Sequence, residues 1–146
     1  MEGKILIIED TLEILENIIE ILQLERYEVF AARDAKTGIE LAHSIKPDLI
    51  LCDILIPGKG GFDVLKHVRS TVDISSIPFI FVTSQSERED IEKARDLGAS
   101  GYIVKPFDGQ TLIDGVGGFV RRGGSKSSNE SSVSDPGFLR PAAGSL

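Results

Sequence analysis

The chain has 146 residues, 41% of them hydrophobic, which suits one domain with an ordinary core. Its formal net charge of -7 repels phosphate backbones and argues against direct nucleic-acid binding by the domain. The single cysteine, Cys52, excludes an internal disulfide and a cysteine-based zinc site and suits a reducing compartment.

The first apolar run, Ile5-Leu-Ile-Ile8, lies between Lys4 and Glu9. It is too short for a signal-peptide core or a membrane span, so a soluble, cytoplasmic protein with no membrane association is expected. Leu12, Leu15, Ile18, Ile19 and Leu22 then recur at helical spacing, predicting a helix over Leu12 to Leu24. Asp10 and Glu13 have the spacing of a capping box at its start. The second run, Glu28 to Ala32, is more mixed and suits an edge strand. A second helix is predicted over Ala35 to Ile45, stopped by Lys46-Pro47.

The third run, Asp48 to Cys52, is nearly all apolar beyond its first residue, as a strand covered on both faces should be. A third helix begins after Gly60-Gly61 and carries Val64, Leu65 and Val68. The fourth run, Pro78 to Val82, leads to a helix from Ser86 that stops at Leu97-Gly98, a left-handed cap. The fifth run, Gly101 to Val104, precedes a last helix from about Asp108 to Arg121. Gly115, Gly117 and Gly118 weaken that helix by up to about 1 kcal/mol each relative to alanine. Runs alternating with helices at spacings of roughly 20–30 residues are the mark of repeated βαβ units and a parallel, doubly wound α/β sheet. After Arg121 the composition turns to Gly, Ser, Asn and Pro. We therefore expect one domain over residues 1–121 and a flexible linker or disordered tail over residues 122–146.

In such a sheet, ligands bind beyond the carboxyl ends of the strands. Glu9 and Asp10 leave run one, Asp53 leaves run three, Thr83 leaves run four and Lys105-Pro106 leaves run five. Each also has a plain structural reading: Asp10 as a helix cap, Glu9 as a solvated strand end, Thr83 as a turn residue, Lys105 as a surface charge. Asp53 resists that reading, because a charge directly after Leu49-Ile-Leu-Cys52 stands at the mouth of a buried strand. Two carboxylates ~4 Å apart repel by about 1 kcal/mol in water and about 4 kcal/mol at an effective dielectric of 20. Lys105 offsets part of that cost, and a divalent cation offsets the rest. With few protein ligands, Mg²⁺ is the expected ion, because it keeps waters and shares a phosphate. The set suits phosphoryl transfer to Asp53 as nucleophile, with Lys105 and Thr83 on the phosphoryl oxygens.

Glu9-Asp10, Asp53-Ile-Leu-Ile-Pro-Gly58 with Gly61, Thr83 and Lys105-Pro106 resemble the signature of response-regulator receiver domains, over about residues 3 to 121. The segment Gly98 to Phe107 alone is strongly similar to the family. The resemblance implies five helices around a flavodoxin-like sheet in strand order 2-1-3-4-5. It implies phosphorylation of Asp53 by a sensor histidine kinase or histidine phosphotransfer protein, and a downstream effector protein as the target of the signal. It also implies Mg²⁺ bound directly by Asp10, Asp53 and the backbone carbonyl of Leu55, with Glu9 acting through water. Thr83 and Tyr102 become the switch pair: on phosphorylation the hydroxyl moves toward the phosphoryl group and the ring turns inward, altering the face of the fourth helix, fifth strand and fifth helix. The Lys105-Pro106 bond is expected to be cis.

Some positions depart from the common pattern. Glu9 stands where Asp is usual, Ile56 where Met is frequent, Gly60 where Asp is frequent, and Ser84 where Ala or Gly is common. The fifth-helix glycines weaken an element through which many receivers dimerise, which leaves the oligomeric state open. Leu55 and Gln85 occupy positions that tune phosphoryl lifetime in the family. His43 and His67 are read as surface residues without a metal role, and Cys52 as core packing. On this reading the domain is a phosphoacceptor and not an enzyme. The competing readings are a Mg²⁺-dependent phosphatase with an aspartyl nucleophile, a flavin or nucleotide binder, and a receiver-like module that binds partners without phosphorylation. The flavin or nucleotide reading is disfavoured, because Glu9-Asp10 repels a phosphate after strand one.

Overall fold

The structure is a computed structural model and describes residues 3–120 and Phe138. Strands and helices alternate as β1 (Lys4–Ile8), α1 (Leu12–Leu24), β2 (Glu28–Ala32), α2 (Ala35–Ile45), β3 (Leu49–Cys52), α3 (Gly61–Ser70), β4 (Phe79–Thr83), α4 (Arg88–Asp96), β5 (Gly101–Val104) and α5 (Gly109–Gly117). A short 3₁₀ turn, Val72–Ile74, follows α3 and is not signalled by the sequence pattern. All strand pairs are parallel, in the order β2-β1-β3-β4-β5, with the mixed run β2 at one edge as expected. Among the described residues no helix is long and apolar enough to cross a membrane.

Strand side chains alternate between faces, so each strand feeds two cores. Ile5, Ile7, Leu49, Leu51, Ile80, Val82 and Ile103 pack under Leu15, Ile18 and Leu22 of α1 and Leu112 and Val116 of α5. Leu6, Ile8, Ile50, Cys52, Phe79, Phe81 and Tyr102 pack under α2, α3 and α4. All four residues of β3 are buried, which is why that run reads as continuously apolar. The central strand is thus held from both sides, and Asp53, the next residue along, is held with it.

The helix ends differ from expectation in three places. The N-cap of α1 is Thr11, without a side-chain cap hydrogen bond, so the expected Asp10–Glu13 capping box is not formed. Asp10 lies one residue outside the helix, and its carboxylate is left free of a capping role. Helix α4 starts at Arg88 rather than Ser86, and α5 stops at Gly117 rather than Arg121, where its glycines cluster. The expected left-handed stop after α4 is present, with Gly98 at φ +102°. Asp34 and Asp108 cap α2 and α5 by accepting from the N–H groups of Thr37 at 2.7 Å and Thr111 at 2.8 Å. Those bonds hold both carboxyls below their ordinary value. The expected tail, 122–146, lies outside the described residues apart from Phe138, which is half-buried against the core under α2, α3 and α4.

The β3–α3 connection is fixed by a close backbone approach. A Cβ on Gly61 would collide with the carbonyl of Asp53 and lie 2.8 Å from the Ile54 Cα. Both obstacles are main chain and neither can rotate away. Gly117 is the other extreme, since a methyl placed on its Cα would have nothing within 4 Å. We therefore expect Gly61→Ala to cost about 1–3 kcal/mol in urea unfolding, as overpacking does. Gly117→Ala should gain up to about 1 kcal/mol. Equal effects from the two substitutions would contradict this account of the glycines.

Candidate functional site

The carboxyl ends of the strands bring the expected residues to one rim. Ile8 pairs with Cys52 across β1 and β3, so Glu9 and Asp53 leave the sheet side by side. Their main chains are tied down: the Asp53 N–H donates to the Ile8 carbonyl at 3.0 Å and the Glu9 N–H to the Ala32 carbonyl at 3.0 Å. On the far side Lys105 donates its backbone N–H to the Thr83 carbonyl at 2.9 Å. The Lys105-Pro106 peptide bond is cis, as the family resemblance implies.

From there the Lys105 ammonium reaches over β4 to both acids. Its Nζ lies 2.8 Å from Glu9 Oε1 and 2.8 Å from Asp53 Oδ2. The remaining oxygens accept backbone N–H groups: Glu9 Oε2 from Thr11 at 3.1 Å, and Asp53 Oδ1 from Leu55 at 3.3 Å. Glu9 is 2% exposed and Asp53 8%, so the first is sealed in and the second retains a small opening to solvent. Burial alone would lower the Lys105 pKa, but the hydrogen bonds and charges of Asp53 and Glu9 outweigh it and raise it. Lys105 is therefore a cation at neutral pH.

Asp10 is exposed and stands apart from this pair. Its backbone carbonyl accepts from the Arg33 guanidinium at 2.8 and 3.3 Å, but among the described residues no hydrogen bond or ion pair reaches its carboxylate. One ammonium therefore serves a rim with three acids, an excess of negative charge that favours a divalent cation. Among the described residues no three His, Cys, Asp or Glu side chains gather closely enough to cage an ion. Asp10 and Asp53 offer hard carboxylate oxygens, the donor type that suits Mg²⁺. Glu9, committed to Lys105 and Thr11, is the least available of the three.

Thr83 is fully buried, and its Oγ1 accepts from the Gln85 N–H at 3.3 Å. Tyr102 is also fully buried, and its hydroxyl donates to the Gln85 carbonyl at 2.6 Å. The ring is thus turned inward. Burial, then the charges of Asp90 and Asp53, pushes the phenol well above its ordinary value, so it stays a neutral donor. The Gln85 peptide unit touches both Thr83 and Tyr102, a link that side-chain spacing could not reveal. Cys52 packs on the opposite face from Asp53, and burial, followed by the charges of Asp53 and Glu9, raises its thiol well above the ordinary value.

His43 and His67, read as surface residues without a metal role, have each other as partners. Both are half-buried, and their Nε2 atoms lie 2.9 Å apart between α2 and α3. They are separated by 24 positions on different helices, so only the packing of neighbouring crossovers could show the pairing.

Removing the rim's ammonium has a defined pH signature. In Lys105→Met, Glu9 and Asp53 remain buried without a cation, so ionising them opposes folding. The variant should lose about 2–4 kcal/mol at pH 8 and much less at pH 4, measured by urea unfolding. In the wild type the raised lysine contributes stability that is complete below its unfolded value of about 10.4 and is lost as pH climbs through the higher folded value. Lys105→Met should lack that component of the alkaline loss. A pH-independent deficit would show that lost packing, and not charge, is what the lysine supplies.

The comparisons with known proteins agree with this geometry. A family model described as the response regulator receiver domain matches residues 5–116. The chain is 36% identical over 114 residues to the transcriptional regulatory protein PdtaR of Mycobacterium tuberculosis, an overlap of 77% of this chain and 54% of that protein. It thus spans about half the length of the curated relatives it matches. Among solved structures it resembles the chemotaxis response regulator CheY4 of Vibrio cholerae, with TM-score 0.76 and 28% identity over 80% of this chain and 98% of that one. A CheY-like receiver domain protein from Methanospirillum hungatei matches with TM-score 0.75 and 28% identity, over 80% and 92% of the two chains. With the sheet order and the family match in agreement, the chain belongs to the response regulator receiver domain family of two-component systems.

Proposed function

We propose that this domain is a phosphorylation-activated switch whose acceptor is Asp53. The observation that carries the reading is the Asp53 carboxylate itself, slightly open to solvent at the end of the buried central strand and held by Lys105 at 2.8 Å. A carboxylate so placed is a fixed nucleophile. One of its oxygens attacks the phosphorus of a phosphohistidine on a sensor kinase or phosphotransfer protein; the O–P bond forms as the N–P bond breaks, and the histidine leaves neutral once protonated. Lys105 stays beside the developing negative charge and neutralises part of it, while the Thr83 hydroxyl turns from Gln85 toward a phosphoryl oxygen. Asp10, Asp53 and the Leu55 carbonyl, with Glu9 beside them, would hold Mg²⁺, which would supply further positive charge next to the phosphoryl oxygens.

The readout runs through Thr83 and Tyr102. Both engage the Gln85 peptide unit, so a Thr83 hydroxyl drawn to the phosphoryl group gives up its contact there while Tyr102 keeps its own. The inward ring already present is the conformation that phosphorylation would stabilise, a shift of populations rather than the creation of a new state. The surface altered is the face of α4, β5 and α5, through which a downstream protein would be controlled. Turnover of free substrates is no part of this role, and a cytoplasmic setting fits the reduced, buried Cys52.

Acetyl phosphate with Mg²⁺ should label the chain with one phosphoryl group, seen by intact mass, and Asp53→Asn should abolish the label. Lys105→Ala should still bind Mg²⁺ yet transmit little of the conformational change to α4, β5 and α5, as read by amide NMR shifts. A label that persists in Asp53→Asn places the acceptor elsewhere. Sustained release of phosphate from a small phosphomonoester, faster than about one per protein per minute, would replace the switch with a phosphatase.

A further inference from the structure

The His43–His67 pair is used by neither the fold's capping nor the Asp53 rim. Each imidazole lies in the last turn of its helix, α2 or α3. Because both helices start at the rim and run back along the sheet, their last turns lie at the end of the domain opposite Asp53. The rings meet edge to face, with centroids 5.1 Å apart and planes at 78°, and the Nε2 atoms face each other at 2.9 Å. Among the described residues neither ring has any other bonded partner. The charged neighbours are engaged elsewhere: Asp63 with Lys66 at 3.9 Å, Arg69 with the carbonyls of Gly98, Ser75 and Ile77, and Lys46 with the carbonyl of His43.

We propose that His43 and His67 form a second cation site, a two-imidazole clip for a borderline-soft divalent transition ion of the Zn²⁺, Ni²⁺ or Cu²⁺ class, joining α2 to α3. Three observations support it. First, imidazole nitrogen selects these ions, whereas the carboxylate rim selects Mg²⁺. Second, two bonds of about 2.0–2.1 Å at a tetrahedral centre separate the nitrogens by roughly 3.4 Å, so the present gap opens by only a few tenths of an ångström through ring rotation. Third, each histidine lies in the last turn of its helix, where the partial negative charge of the helix end favours a cation.

The chemistry balances without a co-reactant. In the free pair one ring donates its Nε2–H to the other's lone pair. On binding, that proton moves to Nδ1 of the same ring through solvent, and both Nε2 lone pairs face the ion. No third His, Cys, Asp or Glu closes on the pair among the described residues, so water fills the other positions. The affinity therefore stays below that of a four-ligand structural site. Such an ion would replace the single imidazole–imidazole hydrogen bond between α2 and α3 with two metal–nitrogen bonds.

The test is thermal melting of the whole chain with Zn²⁺ titrated in a large excess of Mg²⁺, which keeps the carboxylate rim occupied. We expect the melting temperature to rise with Zn²⁺ concentration, with one ion per chain by calorimetry, and both effects to vanish in His43→Gln and in His67→Gln. Far-UV circular dichroism and acetyl phosphate labelling establish that those variants are folded. The Asp53→Asn protein should keep the full Zn²⁺ response. No Zn²⁺ response in the wild type, a response that survives in either histidine variant, or one lost in Asp53→Asn would each overturn the site.

Discussion

Everything at the rim depends on one ammonium placed between two carboxylates. Glu9 and Asp53 leave adjacent parallel strands and are nearly sealed from water, a position that carboxylates avoid unless paired. Lys105 pairs with both at 2.8 Å. Its own stem comes from the end of β5, two strands away from Asp53, so the interaction ties an edge of the sheet to its centre. The strand order β2-β1-β3-β4-β5 is what makes that reach possible.

The arrangement divides labour among the acids. Glu9 bonds the Lys105 ammonium and the Thr11 N–H. Asp53 shares the lysine but keeps an opening to solvent. Asp10, displaced from the helix it was expected to cap, has no partner for its carboxylate among the described residues. Three residues of similar chemistry thus end in three different electrostatic settings, decided by one or two positions along the chain.

Much of this could be read in advance. The continuous apolar run of β3 announces burial on both faces, and a charge at its end is conspicuous for that reason. The gathering of Glu9, Asp10, Asp53, Thr83 and Lys105 comes from parallel topology, because every such strand ends on the same side. What stayed hidden required three-dimensional distances. Nothing in the spacing says that Lys105 bonds Glu9 as well as Asp53, or that the Gln85 peptide unit meets both Thr83 and Tyr102. The pattern at Asp10 and Glu13 mimics a capping box because local spacing cannot show where the helix takes its first turn. The meeting of His43 and His67 depends on how two crossovers settle against each other, and each histidine alone looks like any solvated helical residue.

Cys52 ends β3, one residue before Asp53, the acceptor we propose. Thiolates attack acyl groups readily, and a sulfur so close in sequence would ordinarily threaten any mixed anhydride formed on Asp53. Strand alternation sends the sulfur to the other side of the sheet, into the core under α2, α3 and α4, and burial keeps it protonated. The domain's only sulfhydryl is thereby silenced twice, by direction and by charge state. If Asp53 is phosphorylated as proposed, the lifetime of that bond would be left to water and to the groups that govern water's approach.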